Sequence, residues 1–169
     1  MRRHFARTLF PSLLAAVAAG SISPNSAGAA AADSSASPAR ATETSAAAAW
    51  HAWRAREGVY FERNWGIDII GVRPSASGLM LDFRYRVIDP KKAQPLGERS
   101  AKAYLVDEAS GATFSVPAME NVGELRQTAK LQTDRSYYVI FGNPGRIVKT
   151  GSRVSVVIGP LRVDGLVVQ

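Results

Sequence analysis

Three residues beyond the N-terminal region have side chains that suit a soft metal ion: His51, Met80 and Met119. Imidazole and thioether groups are copper ligands, and thioethers favour Cu(I). Such sites hold their ligands close together, whereas these three residues are widely separated along the chain. A methionine most often fills a hydrophobic core, and a single histidine most often lies on the surface. We therefore keep a periplasmic copper-binding accessory role only as the second of two functional hypotheses.

The sequence has no arrangement of residues that is typical of an enzyme. His51 has no predicted partner, and motifs for a nucleophile elbow, a phosphate loop or a zinc protease are absent. The acidic residues are scattered and do not form the dense alternating pattern of a calcium loop. They include Asp82, Asp107, Glu108 and Asp134. The sequence predicts a non-enzymatic protein without a cofactor.

Basic residues are the more informative set. Six of them fall in predicted loops: Lys91, Lys92, Arg99, Arg146, Lys149 and Arg153. If these loops gather at one end of the fold, they form a surface that attracts an anionic partner; otherwise they are ordinary solvated loops. The formal charge is +7, of which Arg2, Arg3 and Arg7 supply three, so +4 remains after the N-terminal region. A basic helix with interleaved aromatic residues is missing, so nucleic acid is not the predicted partner.

Residues 1–29 have the pattern of a secretory signal peptide. A basic start is followed by a short apolar stretch, Thr8 to Ala19, and by small residues that end in Ala27-Gly28-Ala29. The apolar stretch is shorter than the roughly 20 residues of a membrane-spanning helix. Arg2-Arg3 is also compatible with the twin-arginine export signal, so the export route stays open. We expect a periplasmic or secreted protein with no transmembrane segment after cleavage.

The absence of cysteine limits the chemistry further. Disulfides, thiolate metal sites and attachment through a lipidated cysteine are all excluded.

Residues 30–49 are rich in Ala and Ser and are predicted to be a flexible spacer. Residues 50–64 are predicted to hold a short helix and a connection, with the helix ending at Gly58. Trp50 and Trp53 share a face of this helix and either pack on the following domain or lie at a membrane interface.

Strand patterns fill residues 65–169. The clearest is Leu79 to Val87, where Leu81, Phe83, Tyr85 and Val87 alternate with polar residues. About seven short strands separated by turn residues, with no helices between them, predict an all-β antiparallel sandwich. The last residues, Leu166 to Gln169, continue a strand pattern. If that strand lies at the edge of a sheet, it could pair with a partner strand.

Three segments of this region resemble immunoglobulin-like domains of bacterial exported proteins. They are Leu81-Asp82-Phe83-Arg84-Tyr85-Arg86-Val87, Ala103-Tyr104-Leu105-Val106-Asp107-Glu108-Ala109-Ser110-Gly111 and Val148-Lys149-Thr150-Gly151-Ser152-Arg153-Val154. The sequence of these segments is also similar to that of a small group of uncharacterised proteobacterial secreted proteins. The resemblance implies an immunoglobulin-like sandwich and says little about function. Our leading hypothesis is a non-enzymatic binding or assembly module that contacts a protein or an anionic envelope component.

Overall fold

The computed structural model describes residues 38–169, apart from 121, 122 and 129. The predicted signal peptide, residues 1–29, and residues 30–37 of the predicted spacer lie outside the described residues. Among the described residues, the secondary structure is mostly antiparallel β, with one long helix before the first strand. This coarse prediction of the fold is confirmed.

The N-terminal helix, α1, covers Pro38–Trp65 and is much longer than predicted. The expected spacer is therefore wrong from Pro38 onward, because alanine has the highest helix propensity and a buried stripe fixes the helix against the sheets. That stripe has helical spacing and consists of Ala46, Trp50, Trp53 and Phe61. Gly58 lies buried inside the helix instead of ending it.

Helix α1 ends at Gly66, whose φ of +62° is one that residues with a side chain rarely adopt. The Gly66 amide donates to the carbonyl of Glu62 at 3.2 Å, which closes the last turn. A Cβ at Gly66 would lie 2.6 Å from the carbonyl oxygen of Asp89. The true stop is thus the glycine that needs both this backbone conformation and this close approach.

Among the described residues, nine strands and one short α-helix follow α1. They are β1 Ile67–Ser75, β2 Met80–Val87, α2 Pro90–Ala93, β3 Ala103–Asp107, β4 Thr113–Ser115, β5 Ala118–Met119, β6 Gly123–Glu124, β7 Ser136–Gly142, β8 Arg153–Ile158 and β9 Leu161–Val167. One sheet has the order β1-β2-β7 and another has the order β4-β3-β8-β9. Strands β5 and β6 form a small separate hairpin in the segment between β4 and β7, where the sequence showed no clear period.

The two main sheets share one hydrophobic core. Phe83 and Phe141 come from the first sheet and Leu105 and Leu166 from the second, and all four are fully buried. Strand β2 shows the predicted alternation, because Leu81, Phe83, Tyr85 and Val87 are buried and its arginines are exposed. The sheets also join where Val168 bridges Val72 in parallel. In the part of the chain that the structure describes, the two main sheets contain seven strands of three or more residues, and α1 packs across β1 and β9.

Candidate functional site

The six basic residues predicted to bind an anion fall into two groups at opposite ends of the strands. The first group lies in residues 88–102, after the end of β2 that pairs with the start of β1 and of β7. The second lies at 143–153, after the end of β7 that pairs with the start of β2. The six basic residues therefore do not all lie at one end of the strands, because antiparallel strands place these two connections at opposite ends.

In the second group, the loop is held by a buried side chain. The Asn143 amide donates to the carbonyls of Gly78 and Val148, each at 2.8 Å, and its oxygen accepts from the Val148 amide at 3.1 Å. Arg146 packs against Gly78, and Lys149 and Arg153 are exposed. These interactions hold the turn and leave Arg146 and Lys149 on its surface, while Arg153 begins β8.

In the first group, Lys92 has a structural contact. Its ammonium donates at 2.7 Å to the carbonyl of Arg63 in the last turn of α1, where a positive charge is favourable. Lys91 and Arg99 instead line two clefts. The Lys130 cleft has a volume of about 440 Å³ and is formed by Pro90, Lys91, Gln94, Gly97, Glu98, Thr128, Lys130 and Leu131. The Arg126 cleft, about 340 Å³, is formed by Arg99, Gly123, Glu124, Arg126 and Thr128.

Thr128 lines both clefts, so they adjoin each other. Together they collect four positively charged side chains, Lys91, Arg99, Arg126 and Lys130, and two acidic ones, Glu98 and Glu124. The elements that position them are the connection between β2 and β3 and the segment between β4 and β7. The latter is fixed along β7, because Arg126 bridges Val139 and the Ile140 amide donates to the Leu125 carbonyl at 2.9 Å.

Arg126 is the unusual member of this set, since only 1% of its side chain is exposed. Its Nη2 donates to the carbonyls of Glu98 at 3.2 Å and Arg99 at 2.8 Å. A carboxylate oxygen of Glu124 lies 2.7 Å from Nε, which makes an ion pair, but it is out of line with the N–H bond. Within the described part of the chain, neither Nε nor Nη1 has an aligned hydrogen-bond acceptor. Such a buried, partly unsatisfied guanidinium calls for an explanation.

The charge of Arg126 also acts on the core below it. Burial raises the pKa of Tyr85, and neighbouring Tyr137 raises it further, while the positive charge of Arg126 acts in the opposite direction. The rings of Tyr85 and Tyr137 stack with their centres 5.9 Å apart.

Sequence reasoning did not identify Arg126. It follows Leu125 in a segment without clear periodicity, and nothing there distinguishes it from a surface arginine. Its burial results from carbonyls that lie 27 and 28 residues away along the chain. Only the three-dimensional structure brings those groups together.

The candidate metal ligands are on three elements that do not pair with one another. His51 is exposed on α1, Met80 starts β2 and is half-buried, and Met119 is exposed on β5. Among the described residues, no group of three or more histidine, cysteine or acidic side chains could hold a metal ion.

The C-terminal strand β9 lies at the edge of its sheet, but its outer side is covered. The Trp53 indole donates to the carbonyl of Asp164 at 2.8 Å, and the Gln169 amide donates to the carbonyl of Val72 at 3.0 Å. Trp50 and Trp53 are buried, stacked with their ring centres 5.2 Å apart. The tryptophans thus pack on the sandwich, and α1 lies against β9.

Comparison of the chain with protein-family models, curated proteins and solved structures gave no match. In the described part of the chain, no helix combines the length and the apolar character that spanning a membrane requires.

Proposed function

We propose that this chain is a non-enzymatic binding or assembly module that contacts an anionic component of the cell envelope through the Arg126 and Lys130 clefts. The observation that carries the proposal is the buried guanidinium of Arg126 in a cleft with Arg99, beside an adjoining cleft lined by Lys91 and Lys130. Cationic side chains in a concave, partly desolvated place attract anions more strongly than the same charges on an open surface.

The fold proposed for this module is immunoglobulin-like. In constant-type immunoglobulin domains, strands A, B and E share one sheet and strands C, F and G share the other. Among the seven longer strands here, the first, second and fifth form β1-β2-β7, and the third, sixth and seventh form β3-β8-β9. The fourth, β4, joins the second sheet, while the residues around Arg126 occupy the outer side of β7. This strand order supports the immunoglobulin-like assignment. In the proposal, the residues that bind the partner lie in the connections between strands.

The proposed location is the periplasm or the extracellular space. The pattern of residues 1–29 supports export, and a chain without cysteine needs no disulfide formation there. Expression of the full chain in a proteobacterial host, followed by fractionation and N-terminal sequencing, tests this. We expect a periplasmic or secreted protein that begins just after Ala29. An unprocessed chain that stays in the cytoplasm contradicts the proposed location.

The binding proposal is tested by moving the same charge change to each end of the strands. The first variant carries Lys91→Glu and Lys130→Glu beside the clefts, and the second carries Arg146→Glu and Lys149→Glu in the opposite loop. All four side chains are exposed, so both variants should fold. Binding to vesicles of phosphatidylcholine with phosphatidylglycerol is measured by cosedimentation at low salt.

We expect the first variant to lose about tenfold or more in vesicle binding, since each lost contact with an anionic surface contributes about 1 kcal/mol. The second variant should lose much less. Equal losses in both would show that only net charge matters and would refute the proposed face. A loss confined to the second variant would place the binding surface at the opposite end. If neither variant nor the unmodified protein binds, a protein partner replaces the anionic component as the preferred hypothesis.

A further inference from the structure

The guanidinium of Arg126 carries more hydrogen-bonding capacity than its surroundings use. A guanidinium has five N–H donors, and here only Nη2 has aligned acceptors, the two carbonyls of Glu98 and Arg99. A side chain that served only to join residues 97–99 to the outer side of β7 would need no more than these bonds. Within the described residues, the remaining donors, on Nε and Nη1, have no aligned acceptor and are shielded from solvent, and Arg126 is one of the residues that line the Arg126 cleft.

Glu124 covers this guanidinium without bonding to it well. Its carboxylate is 2.7 Å from Nε but misaligned, and 51% of its side chain is exposed to solvent. It belongs to β6, a two-residue strand whose residues are both exposed and whose pairing partner is the equally short β5. Rotation of this carboxylate into water therefore breaks no aligned hydrogen bond. An anion that enters the cleft can take its place beside Arg126.

The charges around the clefts indicate what kind of anion fits. With Glu124 turned outward, Arg126 and Arg99 remain as the charged residues that line the Arg126 cleft, and the adjoining Lys130 cleft adds Lys91, Lys130 and the acidic Glu98. A phosphate monoester carries a charge of about −1.5 to −2 and has three strong acceptor oxygens, whereas a carboxylate carries a single charge and two oxygens. Guanidinium groups bind phosphate oxygens with matched geometry. Thr128 adds a hydroxyl between the two clefts.

We propose that the Arg126 cleft binds a phosphate group, and that Glu124 occupies the place of this group on Arg126 when it is absent. This rests on the proposed function, since it names the anion that the same clefts would take. Glu124 then acts as an internal competitor that keeps the buried cation neutralised in the free protein and lowers the affinity for weaker anions.

The experiment is isothermal titration calorimetry of the exported protein with inorganic phosphate, in parallel with the variants Glu124→Gln and Glu98→Gln. Both variants remove one negative charge from the lining of the adjoining clefts, but only Glu124 pairs with Arg126. Removal of the competitor should strengthen phosphate binding about tenfold, the size expected for one charge-assisted interaction. Glu98→Gln should change the affinity about twofold or less, as a general effect of charge.

Arg126→Lys provides the complementary change, because it keeps the positive charge and removes the guanidinium fork. We expect it to lose the tenfold gain when it is combined with Glu124→Gln. If Arg126→Lys does not fold, Arg99→Gln serves instead, since Arg99 is exposed on the rim of the same cleft. Equal affinities for the unmodified protein and Glu124→Gln would overturn the proposal. Weaker binding by Glu124→Gln would also overturn it, by showing that Glu124 supports the site.

Vesicles with and without phosphatidic acid, whose headgroup is a phosphate monoester, then distinguish the source of the phosphate. Stronger binding of Glu124→Gln to phosphatidic acid vesicles identifies a lipid headgroup, and an effect on inorganic phosphate alone identifies a soluble phosphate ester. Vesicle binding that depends on Lys91 and Lys130 but is unchanged by Glu124→Gln would leave the proposed function standing and refute the role of Arg126 and Glu124.

Discussion

Replacement of Trp53 by alanine should remove the main anchor of α1. The indole is 3% exposed and stacks between Trp50, at 5.2 Å, and Phe61, at 5.9 Å between ring centres. A tryptophan buries about 150–250 Å², which corresponds to roughly 4–6 kcal/mol at about 25 cal/mol per Å². The hydrogen bond from the indole to Asp164 contributes about 1 kcal/mol more. The loss of stability is smaller than this sum when the neighbouring rings move into the vacated space, and measured Trp→Ala substitutions lower the free energy of unfolding by about 3–5 kcal/mol.

We therefore expect Trp53→Ala to lower the free energy of unfolding by about 4 kcal/mol. Urea denaturation followed by far-ultraviolet circular dichroism measures this change without relying on the fluorescence of the tryptophan that is removed. Val59→Ala is the matched control, because Val59 lies on the same helix but is exposed, and its loss should stay within about 0.5 kcal/mol. A loss below about 1 kcal/mol for Trp53→Ala would refute the docking of α1 on β9. Loss of helical signal at zero urea, with the sheets intact, would show that α1 detaches as a unit.

Two further predictions concern the backbone stop of α1 and the buried phenol beside Arg126. Gly66→Ala should lower the free energy of unfolding, measured by urea denaturation, by about 3 kcal/mol, because the alanine would have a left-handed φ and would clash with Asp89. Gly111 also has a positive φ but has open space around it, so Gly111→Ala should lower the free energy of unfolding by about 1 kcal/mol. Equal losses would contradict the close approach at Gly66. Burial raises the pKa of Tyr85 in the folded protein. The buried, neutral phenol therefore contributes fully to stability below pH 10, which is about the pKa of tyrosine in the unfolded chain, and this contribution is lost as the pH rises above about 10. The unmodified protein should therefore lose up to about 1.4 kcal/mol per pH unit more than Tyr85→Phe between pH 10 and 12, and parallel pH profiles would contradict this.

The strands could be predicted where local patterns decide them. In β2 the alternation of Phe83 and Tyr85 with Arg84 and Arg86 is enough, because a strand with one buried face must show this period. The length of α1 could not be predicted in the same way. Its alanines are compatible with a flexible segment or a helix, and the choice depends on a tertiary contact, the docking of Trp50 and Trp53 on β9.

The candidate site was predicted only in part. Lys91 and Arg99 were identified because basic residues in loops are visible in the sequence, but their separation from Arg146 and Lys149 depends on the strand order. The role of Arg126 could not be predicted, since the two carbonyls that accept its hydrogen bonds belong to the connection between β2 and β3, far away in the sequence. A sequence pattern shows where charge is available, and the topology decides which charges meet.

The most direct test of the proposed binding face is nuclear magnetic resonance of the ¹⁵N-labelled exported protein, titrated with inorganic phosphate and then with bicelles that contain phosphatidylglycerol. We predict that the largest amide shifts occur at Arg99 and from Gly123 to Thr128, with small shifts in residues 143–152. Shifts concentrated in residues 143–152, or spread evenly over all exposed lysines and arginines, would contradict an anion-binding site built around Arg126.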